Sequence, residues 1–296
     1  MIGHPETDPP DRFTEFARSC RTERRRLQLL TLLYGGMFAT LLIGSARLSQ
    51  VSPAELARGL PDAWRYVAST FPTLHPFSIA SDLHAWYWNL ASWLLLLTET
   101  ALMSFMGTTV GSCAALLLCF PASRNLMTNP VIYFVVRRLL ELARTVPDLV
   151  YAMIFVFAFG IGPLAGVLAL SVHTTGALGK LFSEVNESVD RGPIESLTAA
   201  GATWPMLIRL AVLPQVLPNY VSYALLRFEY NIRSAAVFGI VGAGGIGEQL
   251  YLSIRQFDYH DISAIALLII ALVMTADLTC EAIRHHLIGS NGLRRD

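Results

Sequence analysis

Three stretches of this chain contain no Asp, Glu, Lys or Arg: Leu27–Ala46, Thr100–Ser123 and Leu149–Gly179. A helix needs about 20 apolar residues to cross bilayer hydrocarbon, so each stretch is long enough. The third would extend about 46 Å as one helix, too far for a single crossing. Gly160-Ile161-Gly162-Pro163 divides it. The pattern predicts helices over residues 27–46, 93–120, 131–159, 164–188, 212–235 and 261–284. The third begins amphipathic, with Arg137, Arg138, Glu141 and Arg144, and is expected to kink at Pro147. Residues 1–26 are polar and read as loosely ordered. Residues 47–92 are broken by Pro53, Pro61, Pro72 and Pro76 and carry Trp64, Trp86 and Trp88, with Trp93 just after. Indole prefers the membrane–water boundary, which makes this an external interfacial segment. The fold class is all-α, a polytopic transmembrane bundle of about six crossings. Its divisions are a cytoplasmic segment 1–26, a helix and external segment 27–92, a core 93–286 containing a loop 190–211, and a tail 287–296.

Composition removes the soluble classes. Of 296 residues, 53% are hydrophobic and 15% charged, against about 25% charged in soluble domains. Six arginines (Arg12, Arg18, Arg21, Arg24, Arg25, Arg26) precede the first apolar run and hold that end in the cytoplasm. The run is too long for a signal-peptide core and Ser45-Ala46-Arg47 is a poor cleavage site, so it reads as an uncleaved anchor. An even number of crossings then places both termini inside a bacterial plasma membrane. Cys20, Cys113, Cys119 and Cys280 lack metal spacing and read as small buried hydrophobes. No phosphate-binding loop is present: Gly176-Ala-Leu-Gly179-Lys180-Leu181 is too short and ends in Leu. No nucleophile–base or metal constellation appears, so the chain is not an enzyme by itself. It carries no cofactor, and its energy comes from elsewhere; a nucleic-acid partner is not expected.

Residues 193–214 form a polar, helix-breaking interlude between apolar runs. Asp190 and Gly192 are candidate caps, Pro193 suits the first helical position, and Glu195 favours the first turn. Gly201 and Pro205 stop that helix, and a second can start near Trp204. An ordinary connecting loop accounts for this as well as a docking knob does. The pattern resembles the EAA loop of ABC-importer permeases, carried by Glu195, Ala199, Ala200, Gly201, Leu213 and Pro214. Ser196 and Leu197 stand where that pattern has alanines. Other stretches resemble the phosphonate-importer permease: Glu99-Thr100, Arg144-Thr145-Val146-Pro147, His173-Thr174-Thr175-Gly176, Arg227-Phe228-Glu229, Arg233-Ser234-Ala235 and Val241–Gly247. The resemblance covers residues 92–286 and implies the type I ABC importer permease fold, five core helices with one N-terminal addition. It implies a second permease copy or paralogue, a pair of ATPase subunits binding ATP and Mg, and an extracytoplasmic substrate-binding protein. It further implies ATP-driven import of phosphonate or a related phosphorus oxyanion, with the knob coupling to the ATPase. Import of another small solute such as an amino acid, or ion-coupled transport using Glu229, Asp148 or His173, stays open.

Ionisable groups inside a bilayer are costly and default to functional candidates. Arg144, Arg227, Glu229 and Arg233 are candidates for the translocation pathway. Glu229 and Arg233, like Arg144 and Asp148, are spaced to pair along one helix, which would make them structural. An unpaired Arg227 suits phosphate-like oxygens through its planar fork. His173 reads as a hydrogen-bonded bundle residue. Gly242, Gly244, Gly245 and Gly247 match a dinucleotide-binding pattern, but no strand–helix unit surrounds them. They read as a gate or as close packing. Gly107-x-x-x-Gly111 and Gly162-x-x-x-Gly166 allow close helix approach.

Overall fold

The computed structural model describes residues 12–50, 52–72 and 78–292, with side chains described from residue 23 to 286. Residues 1–11, Pro76, the Cys20 side chain and the basic end at Arg294 and Arg295 lie outside it. All regular elements among the described residues are helical. The chain divides into two compact units, Met1–Ala68 and Ser69–Asp296.

In the first unit, α1 runs over Arg12–Leu48, and its apolar part Glu23–Leu48 is long enough to span a membrane. The arginine-rich segment expected to be loose is therefore helical from Arg12. Leu29, Leu32, Leu33, Phe38, Leu41 and Ile43 are all exposed on α1, a surface suited to lipid. Helix α2, Pro53–Thr70, runs through Pro61 where a break was expected. Proline removes one N–H from the ladder, but the carbonyl it orphans belongs to exposed Ala57, which solvent can satisfy. Leu56, Leu60, Trp64 and Val67 recur at helical spacing, with Arg58, Asp62 and Arg65 on the opposite face.

The second unit opens with α3, Ile79–Trp86, and α4, Leu90–Cys119. It continues through α5 (Pro130–Thr145), α6 (Asp148–Phe159) and α7 (Pro163–Glu187). Helices α4 and α7 lie together along a small-residue seam. A Cβ on Gly107 would stand 2.6 Å from Leu170 Cβ, and one on Gly111 2.6 Å from Thr174 Cβ. Gly166 likewise admits Met103. Without water between helices, such close packing replaces the hydrophobic drive. Gly162 departs from the expectation: it takes φ +147 in the turn before α7, with nothing within 4 Å.

The kink expected at Pro147 is a break of 89° between α5 and α6. Pro147 cannot continue the ladder, and it holds Val146 extended at φ −74, ψ 126. Asn129 starts α5 by accepting from Val131 N at 2.9 Å, with Pro130 in the first turn. The last turns of α5 seat on α7, because Gly176 and Gly179 bring no Cβ against Arg144 N and Leu140. Helix α6 is 12 residues, about 18 Å, and does not cross hydrocarbon by itself.

After α7 come α8 (Arg191–Ala199) and α9 (Trp204–Leu207). A π-helical turn, Ile208–Val212, leads into α10, Leu213–Phe238. Pro214 has no N–H to return to Leu210, and the turn before it widens so that Leu213 N–H donates to Ile208 O. A helix missed in the sequence, α11 (Ile246–Gln256), follows the glycine run, and α12 is Tyr259–Gly292. Among the described residues four helices are long and apolar enough to span, or six if each bent pair counts as one. Where α4 begins, indoles fasten it to α12: Trp86 Nε1 donates to His260 O at 3.0 Å and Trp88 Nε1 to Asp261 Oδ1 at 3.1 Å. Trp93 is no boundary indole; it is fully buried beside Ile246 and Ile265. Cys119 and Cys280 are buried as expected, whereas Cys113 is exposed.

Candidate functional site

A polar seam runs through the apolar bundle where α4, α7 and α10 meet. Thr100, Ser104 and Thr108 repeat every fourth residue on α4, and each hydroxyl donates to the carbonyl one turn back, at 2.7–2.9 Å. Their oxygens remain free to accept. Asn231 of α10, fully buried, uses its amide to bridge the helices: Nδ2 donates to Thr108 Oγ1 at 2.8 Å and to Thr174 Oγ1 at 2.9 Å. Its Oδ1 has no partner, a cost of about 1–3 kcal/mol. Sequence reading missed Asn231 because it is uncharged; its visible signal was the Thr/Ser ladder that needed a donor opposite.

One turn before Asn231, half-buried Arg227 joins the same seam. Its Nε donates to Thr174 Oγ1 at 3.3 Å, a terminal nitrogen contacts His173 Nδ1, and its guanidinium carbon lies 4.4 Å from the Tyr230 ring centre. Among the described residues no carboxylate forms an ion pair with it. Placing Arg at mid-bilayer costs about 2.5–3.5 kcal/mol, and a cation–π contact to an exposed ring such as Tyr230 returns about 0.5–1 kcal/mol. The contact offsets part of that cost, and Asp148 acts on the same charge from a distance. His173 is hydrogen-bonded within the bundle, as expected.

The two helix-internal ion pairs expected from spacing do not form. The α5–α6 break separates Arg144 from Asp148; Asp148 Oδ2 instead accepts from Ser234 Oγ of α10 at 2.6 Å, and Arg144 is exposed. Glu229 reaches Arg284 of α12 at 3.5 Å, and Arg233 reaches Asp277 of α12 at 3.4 Å. Tertiary partners thus replace the neighbours four residues away, and these two pairs clasp α10 to α12. The Arg233 pair is about half exposed, so Arg233→Ala should lower stability by no more than about 1 kcal/mol. In a melt of detergent-solubilised protein that is a drop of about 2–4 °C at most.

At the glycine run, Gly242, Gly244 and Gly245 take φ +82, +84 and +79, where side chains are strained. Gly242 O accepts from Gly162 N at 3.0 Å, Ile246 N donates to Thr100 Oγ1 at 2.9 Å, and Glu99 Oε1 stands 3.0 Å from where a Gly244 Cβ would be. The turn is thus bound both to the start of α7 and to α4. Gly247 differs: it lies inside α11, pressed against Ala236.

The knob forms as a helix, a turn and a short helix. Asp190 caps α8, accepting from Gly192 N at 3.1 Å, so Pro193 falls at the third helical position rather than the first and Glu195 lies beyond the first turn. Gly201 at φ +78 turns the chain out of α8. Glu195, Ala199, Ala200 and Gly201 are all exposed, whereas Leu213 and Pro214 lie past the π-helical turn at the start of α10. Among the described residues no cluster of three or more His, Cys, Asp or Glu could hold a metal.

A helical bundle with helices long enough to span a membrane, carrying a half-buried arginine in a polar seam between them, has the architecture of a membrane transport subunit. The chain belongs to the family described as binding-protein-dependent transport system inner membrane component, whose model matches residues 107–288. It is 44% identical over 195 residues to the phosphite transport system permease protein PtxC of Stutzerimonas stutzeri, covering 66% of this chain and 71% of that one. It is 38% identical over 203 residues to the phosphate-import permease protein PhnE of Mycolicibacterium smegmatis, covering 68% of this chain and 38% of that one. The fold matches inward-facing conformations of the MetNI methionine ABC transporter with TM-score 0.58 at 22% identity, over 66% of this chain and 95% of that one. The chain is a type I ABC importer permease, a transport subunit rather than a catalytic enzyme. Permeases of this kind work with ATPase and substrate-binding protein partners.

Proposed function

We propose that this permease passes a phosphorus oxyanion, phosphite or a near chemical relative, inward past Arg227. The observation that carries the reading is the Arg227 guanidinium, held by His173, Thr174 and Tyr230 and paired with no carboxylate among the described residues. A planar fork of N–H donors suits tetrahedral oxyanions, and a guanidinium in direct contact with no carboxylate keeps its donors for an anion, although Asp148 lies within its electrostatic reach. The names of PtxC and PhnE support the same cargo class. The likeness to MetNI concerns the fold alone, and nothing in the seam selects an amino acid.

In this reading both termini face the cytoplasm, with the six early arginines on that side. The 27–92 segment adds a helix and an external interfacial stretch to the core. A second permease copy or a paralogue completes the pathway, which Arg144 and Arg233 border. The exposed knob face at Glu195, Ala199, Ala200 and Gly201 docks on one of a pair of ATPase subunits, which bind ATP and Mg. Leu213 and Pro214 pass the motion into α10. Gly242, Gly244 and Gly245 serve as the extracytoplasmic gate, while Gly247 packs α11 against α10. The test is uptake of labelled phosphite by proteoliposomes holding the permease, its ATPase and its binding protein. Uptake should require ATP and should be suppressed by unlabelled phosphite but not by methionine. Uptake without ATP, or suppression by methionine alone, would remove the reading.

A further inference from the structure

The knob is fastened to the bundle at separate points. At one end Asp190 N–H donates to Gln215 Oε1 of α10 at 3.1 Å, and Ile194 packs against the adjoining core cluster. At the other end the Trp204 indole N–H donates to the Leu126 carbonyl at 2.9 Å. Leu126 lies in the turn between α4 and α5, and its side chain is buried in the cluster with Cys119, Phe182 and Tyr220. That turn is itself stitched down. Asn125 Nδ2 donates to Asn186 O of α7 at 2.7 Å, Asn186 Nδ2 to Ser123 Oγ at 3.1 Å, and Tyr220 OH of α10 to Asn186 Oδ1 at 2.5 Å. Between Trp204 and α10 the backbone passes through the π-helical turn Ile208–Val212. Such turns are rare inside α-helices and recur at functional positions.

We propose that Trp204 is a positioning residue that carries motion of the knob into the α4–α5 turn, an inference resting on the ATPase-docking reading above. A knob joined to the bundle only through α7 and α10 would leave its α9 end free to shift at the π-helical turn when pushed. Held also at the Leu126 carbonyl, it must move α10 against the stitched turn. That turn leads into α5, which ends at Arg144 beside the 89° break. A push at the exposed α8 face thus reaches α5 through the Trp204 indole N–H, beside its routes through α7 and α10. Trp204 is 44% exposed as a residue, more than a purely core role would leave it.

The test uses the whole complex, permease with ATPase and binding protein, in proteoliposomes. Two variants remove the N–H: Trp204→Phe, and Trp204 replaced by benzothienylalanine, which keeps the ring shape with sulfur in place of N–H. Phosphite uptake per ATP hydrolysed should fall about five-fold in both, as loss of one hydrogen bond implies. Co-purification with the ATPase and basal hydrolysis should stay within about two-fold of wild type, within the effect of a single weak contact. An unchanged ratio of uptake to hydrolysis in either variant overturns the proposal. Failure of both variants to assemble also overturns it, because Trp204 would then serve folding. Wild-type protein reads the docking itself: a knob that never meets the ATPase shows as missing co-purification in wild type, whereas a failed Trp204 role shows only in the variants.

Discussion

Arg227→Ala is expected to reduce oxyanion uptake about 10- to 100-fold, the value of a charge-assisted hydrogen bond expressed as a rate, while the complex still assembles. Arg227 has no direct ion pair to break among the described residues, and half-buried Asp148, which loses its nearby charge, keeps the hydrogen bond from Ser234. What it leaves is His173 Nδ1 and Thr174 Oγ1 each short of one donor, and Thr174 still accepts from Asn231. Arg227→Lys keeps the charge but loses the planar fork, and uptake should fall between wild type and the alanine variant. The measurement is uptake in proteoliposomes alongside basal ATP hydrolysis and size-exclusion behaviour. Undiminished uptake in Arg227→Ala would take the guanidinium out of the pathway. Loss of the assembled complex would make Arg227 structural.

Gly247→Ala and Gly239→Ala should act on the fold. A Cβ on Gly247 would stand 2.0 Å from Ala236 O, and one on Gly239 1.9 Å from Glu248 N. Both obstacles are backbone atoms, which cannot turn aside as a side-chain tip can. Helices α10 and α11 would have to separate, and overpacking of this kind costs about 1–3 kcal/mol or more. A thermal midpoint lowered by about 2–12 °C in detergent is expected for each. Gly244→Ala provides the contrast. Its nearest obstacle is the movable Glu99 carboxylate at 3.0 Å, with Pro163 N at 3.2 Å, so the strain there comes from φ +84 and a milder squeeze than at Gly247. If the 242–245 turn is the gate, Gly244→Ala should impair uptake more than it lowers the melting temperature. Equal melting shifts for Gly244→Ala and Gly247→Ala would reduce the whole run to packing.

Apolar run length made α4, α7 and α12 legible in the sequence, because crossing a bilayer is a local requirement on composition. The position of the α5–α6 break was legible from Pro147 for the same reason. Its 89° angle was not, since packing of α5 on Gly176 and Gly179 of α7 sets it. Spacing also misled at the charges. Glu229 and Arg233 can reach each other along a helix, but α12 offers Arg284 and Asp277 more than 40 positions away, and one-dimensional spacing cannot weigh those. The resemblance to ABC-importer permeases located the knob. It did not reveal that Trp204 ties the knob to Leu126, because a hydrogen bond to a backbone carbonyl leaves no mark on the accepting residue's identity. Asn231 escaped for a related reason: a single neutral amide in an apolar stretch alters hydropathy little, yet it joins three helices.

The glycine seam between α4 and α7 has a consequence for how the permease can change shape. Leu170 and Thr174 sit where Gly107 and Gly111 leave no side chain, so the two helices interlock like gear teeth. Sliding one past the other by a fraction of a turn would drive Leu170 into the α4 backbone. During alternating access the pair therefore travels as a single rigid spar. Deformation falls instead on the places where the ladder of hydrogen bonds is already interrupted: Pro147, the π-helical turn and the glycine run.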